Sequence, residues 1–101
     1  MDQRTRDHCQ RNARVFKALG HATRLYLVLE LGRGERCVQD LRELTGGDMS
    51  TVSKHLSVLR EAGLVSDDRR GNQVFYRLAA PCVLEFMHCI EGVTGAQMPR
   101  E

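Results

Sequence analysis

The feature that most constrains this chain is a change of hydrophobic period at Gly63. Before it, apolar residues recur every three or four positions; after it, they alternate. A helical side chain returns to one face every 3.6 residues and a strand side chain every second residue. The chain is therefore expected to be mainly α-helical with one small β-hairpin placed late. Cys9, Ala13, Phe16 and Leu19 mark a first helix over residues 5–19. Leu25, Val28, Leu29 and Leu31 mark a second over 22–31, closed by Gly32. Cys37, Val38, Leu41 and Leu44 predict a short third helix, stopped by Gly46 and Gly47. Asp48 or Ser50 can cap a fourth that runs to residue 62 and keeps Val52, Leu56 and Leu59 on one face. The β-prone runs 64–66 and 74–78 flank a charged tip at 67–73. Pro81 suits the first turn of a last helix over 81–94, with Cys82, Phe86, Cys89, Ile90 and Val93 as its apolar stripe. Residues 95–101 read as a frayed tail.

These five helices and a two-stranded wing fit in one domain, residues 1–101. A chain this small buries only about 60–70% of its unfolded surface. The stripes on both terminal helices exceed what one small core needs, so a homodimer is expected. The longest apolar run, residues 25–29, is far too short to span a bilayer. Residues 1–7 have no apolar signal core behind them, and the chain is read as cytoplasmic. In that compartment four cysteines without a CxxC pair argue against a disulfide framework, a zinc ribbon and a thioredoxin-like site. No general-base pair, phosphate loop or nucleophile motif appears, so an enzyme is not expected and no obligatory cofactor is implied.

The net charge of +2 says little, but its distribution says more. Residues 1–24 carry +4 and residues 50–78 carry +2, while the segments 25–49 and 79–101 each carry −2. The second basic segment holds the fourth helix and the hairpin. That helix turns Ser50, Thr51, Ser53, Lys54, His55 and Ser57 away from its apolar face, and the hairpin tip carries Arg69, Arg70 and Asn72. Either feature alone would be an ordinary solvated surface. Helix, short glycine turn, helix and hairpin in this order form a winged helix-turn-helix. In such a domain the exposed helix enters the major groove, and its hydroxyl and cationic side chains reach base edges and phosphates. The two hairpin arginines would meet a neighbouring phosphate or the minor groove, and binding to double-stranded DNA would weaken steeply with salt.

Four stretches carry a family resemblance. They are Phe-Lys-Ala-Leu-Gly-His-Ala-Thr-Arg-Leu at 16–25, Glu-Arg-Cys-Val-Gln-Asp-Leu at 35–41, Ser-Thr-Val-Ser-Lys-His-Leu-Ser-Val-Leu at 50–59, and Gly-Leu-Val at 63–65. Together they resemble the ArsR/SmtB family of metal-responsive repressors. The resemblance implies a homodimer formed through the first and last helices. It also implies an inverted-repeat operator, and repression released when an inducer binds.

By that resemblance, Cys37 occupies the first thiolate position of the Cys-Val-Cys motif of arsenic and cadmium sensors, but Gln39 stands at the second. The last-helix zinc ligands are missing as well, with Ala80, Cys82, Val93 and Ala96 in their places. The thiolates that remain are Cys37, Cys82 and Cys89, with Cys9 ranked behind them. Soft ligands select soft ions, trivalent arsenic or antimony first among them. Cys82 and Cys89 are seven residues apart, about 10 Å along a regular helix, whereas metal–sulfur bonds are about 2.3 Å. Either Cys82 lies in a non-helical turn beside Pro81, or the two thiols serve different sites. Inducer and DNA would then antagonise each other reciprocally, by roughly 1–3 kcal/mol or more. Two alternatives stay open: a cysteine redox or reactive-sulfur switch on the same repressor, and a winged helix that binds protein instead of DNA.

Overall fold

The computed structural model describes residues 1–97; the last part of the expected frayed tail, 98–101, lies outside the described residues. Helix α1 (Gln3–Leu19) starts two residues before the expected residue 5, because the Asp2 carboxylate accepts the Thr5 N–H at 2.8 Å and caps it. Helix α2 (Ala22–Leu31) is capped by an imidazole, with His21 Nδ1 accepting the Thr23 N–H at 3.1 Å. Helix α3 (Val38–Thr45) ends at Gly46, whose φ of +73° is the left-handed conformation that reverses a chain tightly. Helix α4 (Met49–Glu61) follows at once and crosses α3 as the second helix of a helix-turn-helix.

Two expectations need correction here. The wing is not two-stranded: a short strand β1 (Arg36–Cys37) pairs with β3 (Gln73–Leu78), which also pairs with β2 (Val65–Arg70). The sheet order is β1-β3-β2, antiparallel throughout, with Cys37 opposite Phe75 and Phe75 opposite Asp68. Cys37 thus belongs to a strand and is the N-cap of α3 instead of its first turn. Its backbone completes the free edge of β3, a long-range pairing that local periodicity does not register. Helix α5 (Val83–Thr94) starts two residues after Pro81, so Cys82 sits in the preceding turn as its N-cap.

The core is built by the helix-turn-helix and the helix behind it. Leu27 and Val28 of α2, Leu41 of α3, and Val52, Leu56 and Leu59 of α4 are fully buried. Each such side chain contributes about 1.5–3 kcal/mol of burial. Val65 and Tyr76 join the sheet to this cluster. Helix α5 touches it only at its start: Val83 is buried and Leu84 is partly packed. Leu84 lies so close to Gly32 that a Cβ there would come within 2.8 Å of it. Beyond this point the α5 stripe projects outward. Phe86, Ile90 and Val93 are 40%, 42% and 79% exposed, and Phe86 meets Phe16 of α1 edge-on at 5.4 Å. No helix among the described residues is long and apolar enough to cross a membrane.

Candidate nucleic-acid interface

Burial of Val52, Leu56 and Leu59 fixes how α4 is rotated. With those three inward, Ser50, Thr51 and Lys54 are exposed, and Ser53, His55 and Ser57 lie half-buried on the flanks. The N-terminus of α4 is held by Asp48, which accepts the Thr51 N–H at 2.7 Å. The hydrogen bonds from Thr51 keep the Asp48 carboxyl below the usual carboxylate range. The cap therefore stays ionised at the positive end of the helix.

His55 is turned toward the body of the domain. Its Nδ1 lies 3.3 Å from Arg24 Nη1, and its ring stands 4.4 Å from that of His21 at a tilt of 46°. Arg24 also donates through Nε to the Ala18 carbonyl at 2.6 Å. One guanidinium thereby ties the end of α1 to α4. Burial, with His21 and Arg24 nearby, pushes the His55 pKa down, and the neutral ring accepts from Arg24.

At the other flank Arg60 donates to Asp67 at 2.9 Å and joins α4 to β2. The hairpin closes through Gly71 and Asn72, with Gly71 at φ +62°, the first position of a two-residue turn that demands positive φ. Arg69 and Asn72 are exposed at the tip, and Arg69 makes no ion pair among the described residues. Arg70 is differently placed. Its Nη1 and Nη2 meet the Glu35 carboxylate at 2.6 and 2.9 Å, its Nε meets Asp68 at 2.9 Å, and its plane lies 4.6 Å above Phe75. The hydrogen bonds from Glu35 and Asp68 raise its pKa further. Nothing in the sequence pairs Arg24 with His55, Glu35 with Arg70 or Arg60 with Asp67. Their partners are 31, 35 and 7 residues away, and no periodic signal links such pairs.

The thiols differ in exposure. Cys37 is 6% exposed, while Cys9, Cys82 and Cys89 are exposed, and all four are free. Among the described residues no three His, Cys, Asp or Glu side chains of one chain are grouped to hold a metal ion.

A helix-turn-helix whose second helix is exposed on its polar side, followed by a hairpin with a basic tip, defines a winged helix-turn-helix domain. Comparisons with known proteins give the family. The model for "Bacterial regulatory protein, arsR family" matches residues 21–67. The biofilm growth-associated repressor of Xylella fastidiosa (strain 9a5c) is 36% identical over 85 residues, covering 84% of this chain and 75% of that protein. The arsenical resistance operon repressor of Escherichia coli K12 is 44% identical over 66 residues, covering 64% and 56% respectively. Among solved structures, the homodimeric winged helix-turn-helix DNA-binding domain of a Mycobacterium bovis regulator superposes with a TM-score of 0.79. It is 28% identical and covers 99% of this chain and 97% of that one. This chain belongs to the arsR family of bacterial regulatory proteins, whose members are transcriptional regulators and not enzymes.

Proposed function

We propose that this chain is a transcriptional repressor that acts in the cytoplasm as a homodimer and reads double-stranded DNA through α4. The observation that carries this reading is the rotation of α4, which buries Val52, Leu56 and Leu59 and leaves Ser50, Thr51 and Lys54 outward. Ser53 and Ser57 border that face, and Arg69 and Asn72 extend it to phosphates beside the groove. His55 braces α4 against Arg24. Dimerisation is supported by the exposed Phe16, Phe86, Ile90 and Val93 and by the homodimeric Mycobacterium bovis relative. A two-fold axis through that face sets two α4 helices on successive major grooves, about 34 Å apart.

The test is a fluorescence-anisotropy titration on a duplex from immediately upstream of the chain's own gene, run across a salt series. Wild type should bind it more tightly than a scrambled duplex. Lys54→Ala should weaken binding several-fold and reduce the log–log salt slope by about 0.9, one phosphate contact. Equal binding to both duplexes, with Lys54→Ala unchanged, would end this reading.

The signal is read from the thiols. Cys82, in the turn before α5, and Cys89, within it, are both exposed. Neither thiol joins a group of three ligands within one chain among the described residues, so a site using either draws further ligands from the second chain. The arsenical repressor of Escherichia coli supports trivalent arsenic or antimony as the class of inducer. Arsenite should lower the affinity of wild type in the same titration and leave a Cys82→Ser/Cys89→Ser variant unmoved. Arsenite insensitivity of wild type would remove the signal and leave the DNA reading intact.

A further inference from the structure

We propose that Arg70 is a positioning residue, a strut that sets the angle of the wing, and not a phosphate ligand. The proposal rests on the DNA-binding reading above and adds the device that aims the wing. Arg70 closes β2 at one edge of the sheet, and Glu35 immediately precedes β1 at the other. The guanidinium reaches across the central strand β3, lies on the Phe75 ring at 4.6 Å, and grips Glu35 through two parallel hydrogen bonds of 2.6 and 2.9 Å. Its third nitrogen is held by Asp68 at 2.9 Å. Such a fork fixes direction as well as distance, which a single charge contact does not. Those bonds take three of the five guanidinium N–H groups, and two carboxylates already match its charge where a phosphate would approach. Arg69, on the opposite face of β2 and without an ion pair among the described residues, is the wing arginine left for DNA.

The strut also links the wing to the helix-turn-helix. Glu35 leads into Arg36 and Cys37, and Cys37 is the N-cap of α3. Directly opposed residues of an antiparallel pair project to the same face, and Cys37 opposes the Phe75 on which Arg70 rests. Any change at the buried start of α3 is thereby felt at the base of the wing.

Three variants separate a strut from a phosphate ligand, because the two roles give Glu35→Gln opposite signs. If Arg70 is a strut, Glu35→Gln weakens binding to the upstream duplex roughly three- to tenfold, although it removes a negative charge. Arg70→Gln then weakens it by a similar factor with an unchanged salt slope. Arg70→Lys behaves like Arg70→Gln, because an ammonium cannot replace the fork. Amide exchange in the hairpin, followed without DNA, should accelerate several-fold in all three. If instead Glu35→Gln tightens binding or leaves it unchanged, the strut is overturned. The same holds if Arg70→Gln lowers the slope by about 0.9 while Arg70→Lys binds like wild type. Should wild type fail to bind the duplex, the DNA reading is what fails. The strut is then decided by exchange alone, and unaltered exchange in Glu35→Gln and Arg70→Gln overturns it.

Discussion

At the scale of single residues, the sequence shows direction but not partnership. A helical wheel turns Thr51 and Lys54 outward and Leu56 inward, and the structure places them so. The same wheel sets His55 on the polar side, yet its ring is bonded to Arg24 and lies tilted against His21. Those contacts link α4 to a different helix, and only the packed chain reveals them. They carry a pH consequence. Burial pushes the His55 pKa down, so on acidification the unfolded chain takes up a proton at this position before the folded one does. Its contribution to stability is intact above the ordinary histidine range and is lost as pH falls through that range. Urea unfolding at pH 7.5 and 5.5 should show wild type losing more stability on acidification than His55→Gln. The groups facing His55 are His21, the N-cap of α2, and Arg24 within that helix, and protonating His55 adds a cation beside a guanidinium. An equal loss in both proteins would mean that His55 does not carry the effect.

At the scale of elements, three central signals are legible because each is local: Asp48 or Ser50 before a helical run, glycine after it and alternation beyond Gly63 are all short-range rules. The expected charged tip at 67–73 is instead mostly strand, since β2 runs to Arg70 and only Gly71 and Asn72 turn. Strand β1 was not legible, since two residues have no period and its existence depends on the edge of β3 thirty-eight positions further on (Cys37 to Phe75). The start of α5 was set two residues early for a related reason: Pro81 is compatible with a first turn, but the chain is still turning there. The buried face of α4 can be tested separately from its polar one. Leu56→Ala should lower the unfolding free energy by about 2–5 kcal/mol, as for other fully buried leucines, whereas Lys54→Ala should leave it nearly unchanged. Chemical denaturation of both variants measures this directly. Comparable losses in the two would place Lys54 inside the packing and deny α4 its outward face.

At the scale of the whole molecule, the terminal helices leave an apolar surface that one chain does not cover. Phe16, Phe86, Ile90 and Val93 are exposed together near the only aromatic contact between α1 and α5 among the described residues. Ile90→Asp should shift wild-type dimer to monomer in sedimentation equilibrium and lower DNA affinity, with the far-ultraviolet circular dichroism retained. A variant that stays dimeric would place the interface elsewhere. The apolar period, the caps and the turn residues determined by themselves the helix order, the wing and the outward side of α4, because each rule acts over a few residues of backbone. Tertiary structure alone decided that Arg70 grips Glu35, that His55 leans on Arg24, and that Cys37 is buried in a strand while the other three thiols are exposed. Those facts depend on which distant groups come within hydrogen-bond reach once the core has closed, and a pattern along the chain holds no distances of that kind.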